Sequence, residues 1–567
     1  MTDAVDDTGL LAAVRALRDA VDQAILPLDL PGAASAREGQ GSLLKQLDDY
    51  VIPRLEALDA PLLAVVGGST GAGKSTLVNS LVGQNVTRSG VLRPTTRSPV
   101  LVHHPADEGW FTGTRILPGL ARSTGTAPQD HPGDLHLVAS PALTPGLALL
   151  DAPDIDSVVR ANRDLATQLL SAADLWLFVT TAARYADAVP WDLLREAAAR
   201  GTSVAIVLDR VPPEAMEEIR SHLASMLREQ GLAGAPLFTV AETVLDTAGR
   251  LADVDVERLR SWLAALARDA QARGIVIRRT LTGALESLAE RVAVLVAASE
   301  AQDQAAAGLS AESASAYATA AEAVEVGMTD GTLLRGEVLA RWQEFVGTGE
   351  LLRQVESGIG RLRDRVTAAI KGSPPPARDL GEALQSGVAA LLTAQAQDAA
   401  SSTVRRWRQL PGGPQVVAAS PDLGRPSADL PGRVERLVRD WQGDVLDLVR
   451  DEGKDRRSTA RALSFGVNGI GVVLMLAAFS QTMGLSGAEI GIAGGSALLA
   501  QRLLEAVFGD QAVRDLAAKA RRELMRRTSE LYAEEQARYD AVLDDLAVDP
   551  KQAQHLWSAA AAVEASR

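Results

Sequence analysis

No cysteine occurs in the 567 residues, which excludes structural disulfides, thiolate metal sites and thiol nucleophiles. Aromatic residues make up only 4% of a chain that is 47% hydrophobic. Much of the apolar content is therefore alanine, which with Leu, Glu, Arg and Gln is the composition of helical bundles, because these side chains lose little rotamer freedom in a helix. A basic excess is missing too. The net charge of −15 excludes a general nucleic-acid binder, since phosphate backbones demand a basic face. The first residues, MTDAVDDTGLL, are acidic and contain no apolar run, so no cleavable signal peptide is expected and the start reads as cytoplasmic. His103 and His104 end a strand-like run; with no Cys and the other histidines scattered, they read as a satisfied strand-end pair and not as metal ligands.

At 567 residues the chain is too long for one hydrophobic core, and its character changes along its length. Residues 1–60 read as helices, with Leu10, Leu11, Val14, Leu17 and Val21 at helical spacing. From Pro61 short β-rich runs alternate with helical pattern: Leu62–Val66, Pro99–His103, Leu135–Ala139, Leu147–Leu150, Leu175–Val179, Ser203–Leu208 and Pro236–Val240. This alternation predicts a largely parallel sheet covered on both faces over residues 61–250, with Trp176 and Trp191 in its core. Helical pattern returns at Val254 and continues almost to the C-terminus, broken at Gly372–Pro376, Pro411–Pro414 and Pro421–Pro431. The expected class is an α/β domain plus a long all-α bundle, with the helices before and after the sheet packed together.

One motif carries explicit chemistry. LLAVVGGSTGAGKSTLVNSLVG places GxxxxGKS directly after an apolar strand and at the mouth of a helix. Glycines let the backbone N–H groups wrap phosphates, and the helix N-terminus adds favourable positive potential. The loop Gly68, Ser69, Thr70, Gly71, Ala72, Gly73, Lys74, Ser75 and Thr76 is thus the candidate nucleotide site. Lys74 is expected at the β/γ-phosphates and Ser75 on Mg²⁺.

A second feature is an uncharged stretch between Arg461 and Glu489, whose core, Phe465–Met483, has about the roughly 20 residues a bilayer-spanning helix needs. A shorter uncharged run, Ile490–Gln501, follows a glycine-containing turn. Lys454, Arg456, Arg457, Arg461 and Arg502 flank the pair, as cations facing anionic headgroups do. Residues 461–508 therefore read as an apolar helical hairpin that enters or crosses a membrane, with 251–460 and 509–567 as the helices leading to and from it. A buried hairpin inside the bundle is the alternative, since Asn468, Gly469, Gly471 and Gly494–Ser496 suit tight helix contacts in either setting.

Beyond the loop, Pro61–Thr247 resembles a GTPase of the dynamin-like superfamily, and the hairpin late in the chain is similar to the paddle tip of bacterial dynamin-like proteins, here of the actinobacterial type. The resemblance implies a P-loop GTPase domain with a helical neck and trunk, using GTP/GDP and Mg²⁺. In RPTTRSP it implies a switch I threonine at Thr95 or Thr96, with Thr96 favoured as a Mg²⁺ ligand. LALLDAPDIDS resembles the family's DxPG element, which makes Asp151 the Mg²⁺ carboxylate. Asp154 stands where the family has glycine, an anion facing the γ-phosphate. The base-reading [NT]KxD element is replaced by Asp209, Arg210, Val211 and Pro212, so Arg210 is left to lie along the base while Pro212 supplies no carboxylate; Glu214 is one substitute. Thr239–Glu242 takes the place of the SAK loop.

The family's catalytic glutamine aligns with Thr70, so the catalytic set is Lys74, Thr70 and Thr96, with a slow basal rate expected. The implied function is nucleotide-dependent self-association, as a homo-oligomer or with a paired paralogue, that remodels or tethers an anionic membrane from its cytoplasmic face, without nucleic acid. A soluble GTPase of the Era type, associated with ribosomes or translation, and a nucleotide-binding scaffold with little hydrolysis are the rival readings.

Overall fold

The computed structural model describes residues 7–88, 98–113, 115–124, 134–156, 160–199, 202–329, 375–452 and 510–567. The chain divides into two compact units. One comprises Met1–Leu26, Pro31–Ala301 and Asp549–Arg567; the other comprises Pro27–Leu30 and Gln302–Val548.

The first unit is built around an eight-stranded sheet: β1 (Leu62–Gly68), β2 (Val100–His103), β3 (Ala121–Thr124), β4 (Asp134–Ala139), β5 (Leu147–Asp151), β6 (Leu175–Thr181), β7 (Ser203–Val211) and β8 (Leu237–Ala241). Their spatial order is β3-β4-β2-β5-β1-β6-β7-β8. The β2–β5 pair is antiparallel and the other neighbours are parallel. Every expected strand is present. β3 is an addition, and its sequence ARST shows why periodicity misses it: it is an edge strand with no buried residue.

Alternate residues of β1 serve opposite faces, as a pleated strand requires. Leu63 and Val65 join a core with Trp176, Trp191, Leu169 and Leu223. Leu62, Ala64 and Val66 join another with Leu77 and Leu81 of the helix after β1 and with Leu259 and Leu263. Both faces are thus covered by helices, which is why β1, β5 and β6 read as continuous apolar runs and are buried along their whole length.

Three N-terminal helices, α1 (Asp7–Gln23), α2 (Ala33–Gln46) and α3 (Ile52–Glu56), belong to the same unit. Leu10, Val14, Leu17 and Val21 of α1 pack in one core with Leu281, Leu288 and Val292 from the helix after the sheet and with Leu556 and Val563 near the C-terminus. Gln552 seals this junction, accepting from Ile25 N at 2.7 Å and donating to Ser299 Oγ at 2.7 Å. Helices from before and after the sheet share this core. Arg54 of α3 anchors it to the sheet: Nε donates to Asp174 Oδ1 at 2.8 Å, and Asp174 Oδ2 also accepts from Leu63 N at 2.7 Å. Asp174 is fully buried, so losing Arg54 would leave an unpaired carboxylate at the root of β1, a cost of about 3–5 kcal/mol.

The second unit is all-α among its described residues. It contains the end of the long Ala270–Thr329 helix from Gln302 onward, then Pro375–Trp407, Gly413–Ala419, Leu430–Glu452 and Asp510–Asp544. Three of its scarce aromatics have their polar ends satisfied, as burial favours, while the buried Tyr317 hydroxyl has no hydrogen-bond partner among the described residues. Trp407 Nε1 donates to Leu309 O at 2.8 Å, Trp441 Nε1 to Ala520 O at 2.8 Å, and Tyr532 OH to Leu392 O at 2.8 Å. Buried Glu535 accepts from Ser427 N at 2.9 Å, Arg433 Nη1 at 3.0 Å and Arg538 Nη1 at 3.0 Å. The fold class expected from sequence, an α/β sheet domain with a long helical region, is the one observed. The 461–508 hairpin lies outside the described residues, among which no helix is long and apolar enough to cross a membrane.

Candidate functional site

The site forms where four parallel strands end. The register sets Val66 beside Asp151, Gly68 beside Val179, and Thr181 beside Asp209. The C-terminal ends of β5, β1, β6 and β7 thus converge on one edge, where the chain leaves β1 to one side for β2–β5 and later returns on its other side for β6–β8. Open α/β sheets bind ligands at such a switch point.

β1 feeds directly into the loop of residues 68–73 and then into α4 (Lys74–Val82). Two glycines are required by space and backbone. A Cβ on Gly68 would lie 2.1 Å from Val179 O, and Gly73 has φ +91° with Asp209 Oδ2 2.4 Å from where its Cβ would be. The tight approach of β6 and β7 is therefore what demands glycine at both positions.

Lys74 is buried, and its ammonium donates to Gly68 O at 2.9 Å, to Ser69 O at 3.1 Å and to the Asp154 carboxylate. All three of its donors are used within the loop and its neighbour. Asp154 is thus the anion that Lys74 holds.

Asp151 ends β5, fully buried. Its Oδ2 accepts from Ser75 Oγ at 2.6 Å and from Thr87 Oγ1 at 2.6 Å. Burial pushes its pKa up, opposed by those two hydroxyls and by the charge of Lys74. Oδ1 has no hydrogen-bond partner among the described residues. A buried carboxylate oxygen without a partner and two hydroxyls on its other oxygen form an all-oxygen donor set that fits Mg²⁺, with the Lys74 ammonium beside it for a phosphate. Thr87 is brought here by Asn79 of α4, whose Oδ1 accepts from Val86 N at 2.8 Å and Thr87 N at 3.0 Å. Sequence reasoning missed Thr87, because no motif marks it. Thr95 and Thr96 lie outside the described residues.

Thr70, at the loop's tip, is gripped on every polar atom. Its N–H and Oγ1 donate to Asp156 Oδ1 at 2.5 and 2.6 Å, and its carbonyl accepts from Arg184 Nη1 at 3.0 Å. Arg184 was not among the sequence candidates. It sits in the turn after β6, far from the loop in sequence.

At the end of β7, Arg210 has φ +52° and its N–H donates to Asp209 Oδ1 at 2.9 Å. The turn aims the Asp209 carboxylate back at Gly73. Burial raises the Asp209 pKa to about 6 despite the Arg210 N–H and guanidinium. Glu214 lies in a short 3₁₀ turn, Pro213–Ala215, and is exposed. The structure therefore brings together Gly68–Ser75, Asp151, Asp154 and Asp209, and adds Thr87, Asp156 and Arg184.

No family model matches the chain, and no curated protein matches it. Among solved structures it is similar to an oligomerised bacterial dynamin pair described as providing a mechanism for long-range sensing and tethering of membranes. That similarity is at 10% identity over 99% of this chain and 96% of the other, with a TM-score of 0.42. It is also similar to Era bound to MgGDPNP and a segment of 16S ribosomal RNA, at 18% identity over 36% of this chain and 56% of that one, with a TM-score of 0.24. A third similarity is to Toc33 of Arabidopsis thaliana with Mg²⁺ and GMPPNP, at 14% identity over 41% of this chain and 92% of that one, with a TM-score of 0.23.

Proposed function

We propose that the chain is a dynamin-like GTPase that binds GTP and Mg²⁺ at the 68–76 loop, hydrolyses GTP slowly, and self-associates, with itself or a paired paralogue, at the cytoplasmic face of an anionic membrane. One observation carries the nucleotide reading: a buried lysine at the mouth of α4 with Ser75, Asp151 and Thr87 joined by 2.6 Å hydrogen bonds. Mg²⁺ bound here would supply electrostatic stabilisation of the phosphate charge. Lys74 would neutralise phosphate oxygens, Ser75 and Asp151 would hold the metal, and Thr96 would be a further ligand. The Thr70 hydroxyl is held by Asp156, which leaves it poorly placed to orient a water and supports a low basal rate. Arg210 lies along the base, with Asp209 at the position that turns towards the loop. The membrane reading rests on the uncharged 462–488 stretch and its basic flanks.

A second reading, a scaffold in which nucleotide only fixes conformation, is favoured by the Lys74–Asp154 pair, which competes with phosphate. Turnover of GTP by the purified chain separates the two. Lys74→Ala is expected to abolish nucleotide binding measured by isothermal titration; retained binding overturns the site. Wild type is expected to float with anionic liposomes, and a variant in which residues 465–500 are replaced by a short Gly/Ser bridge to stay soluble, nucleotide-binding and unbound. Aggregation of that variant, from a wild type that never floats, overturns the membrane reading.

A further inference from the structure

Three groups around the loop tip are not accounted for by phosphate or metal binding: Asp156, Arg184 and Asp187. Arg184 is locked from both ends. Its backbone closes the turn after β6, with Arg184 N and Tyr185 N donating to Thr181 O at 3.0 and 2.9 Å, and Asp187 N donating to Arg184 O at 3.1 Å. Its guanidinium spends one edge on each neighbour: Nε on Asp187 Oδ2 at 2.9 Å, Nη2 on Asp156 Oδ2 at 3.0 Å, and Nη1 on Thr70 O at 3.0 Å. Such a planar fork holds three acceptors in one geometry, which a point-charge ammonium does not. Asp156 completes the ring by accepting both Thr70 donors.

We propose that Arg184 is a positioning residue for the phosphate loop, closing with Asp156 a latch over Thr70 that keeps the Asp156 charge cancelled beside the terminal phosphate. This inference rests on the nucleotide reading of the loop. Asp156 contacts the loop directly and its side chain is only 16% exposed. Burial works against its ionisation, but the Thr70 and Arg184 hydrogen bonds together outweigh that and hold its pKa below the ordinary value. An ionised carboxylate therefore sits on the loop permanently. Arg184, paired to it and shared with the more exposed Asp187, offsets that charge towards an incoming anion. Without Arg184 the carboxylate repels the ligand, and it repels a triphosphate more than a diphosphate, because the extra charge arrives at the loop tip.

The test compares affinities of the full chain for GDP and for a non-hydrolysable GTP analogue, both with Mg²⁺, by isothermal titration. Arg184→Ala is expected to weaken the triphosphate analogue about tenfold, within the range of coupling between contacting residues, and GDP by no more than about twofold on the same scale. Arg184→Lys restores part of the loss, since it keeps the charge without the fork. Adding Asp156→Asn to Arg184→Ala returns the triphosphate-to-diphosphate ratio towards wild type. A purely structural role would lower both affinities by the same factor and would not be repaired by Asp156→Asn; that result overturns the latch. Should Arg184→Ala fail to fold, Asp156→Asn alone decides: an unchanged or lowered ratio overturns the proposal, and a raised one supports it. Failure of the underlying reading looks different, because wild type would then bind neither nucleotide.

Discussion

Replacing Asp209 by Asn removes a buried negative charge from beneath the phosphate loop while keeping the shape of the side chain. Asp209 has 10% of its side chain exposed and faces Gly73. Its pKa is pushed up to about 6 from 3.8 by burial, against the Arg210 N–H and guanidinium. At about 1.4 kcal/mol per pH unit that difference is worth about 3 kcal/mol. The folded state holds the proton more tightly than the unfolded one. Stability therefore falls as pH rises from about 4 to about 6, and the full amount is lost above that window. Asparagine never ionises, and its Oδ1 still accepts from Arg210 N. Asp209→Asn is thus expected to be more stable than wild type at pH 7.5 by up to about 3 kcal/mol, with the gap closing towards pH 4. Thermal unfolding at a series of pH values reads this directly, as an increase of roughly 6–12 °C in midpoint at pH 7.5 if the sheet unit melts on its own. A gap of the same size at pH 4 and pH 7.5, or a variant less stable throughout, would refute the reasoning.

Asp154→Gly frees Lys74 from its carboxylate partner and is expected to raise triphosphate affinity about tenfold or more, equivalent to about 1.4 kcal/mol. Equilibrium titration checks this, and an unchanged affinity means Asp154 leaves Lys74 without cost when nucleotide binds. Asp151→Ala removes the buried carboxylate that Ser75 and Thr87 share. GTP turnover is expected to fall by about 10²-fold or more, with GDP affinity in the absence of Mg²⁺ nearly intact, and single-turnover assays with and without the metal separate these effects.

The strands that form the sheet core were legible because each is a short apolar run between turn signals, and the P-loop because its spacing is contiguous. Asp151 was expected from the resemblance of LALLDAPDIDS to a DxPG element, and it ends β5. Trp176 and Trp191 were predicted as core residues and are buried. By contrast, β3 carries no pattern at all, since an exposed edge strand has no apolar face to alternate.

What sequence spacing alone determined is a glycine-rich loop between strand and helix on a parallel-rich sheet, followed by long helices. The motif does this because strand, glycine turn and helix N-terminus are consecutive, so their geometry is local. Only the tertiary structure decided which charges surround that loop. Arg184 reaches Thr70 and Asp156, Thr87 reaches Asp151, and Asp209 reaches Gly73, because parallel strands far apart in the chain end side by side. The register of β1, β5, β6 and β7 is fixed by burying both faces of the sheet, a property of the whole core and not of any segment. The Arg54–Asp174 pair and the joining of the N- and C-terminal helices have the same origin. Residues separated by over a hundred positions meet because hydrophobic burial, which carries no direction of its own, leaves them one close-packed arrangement.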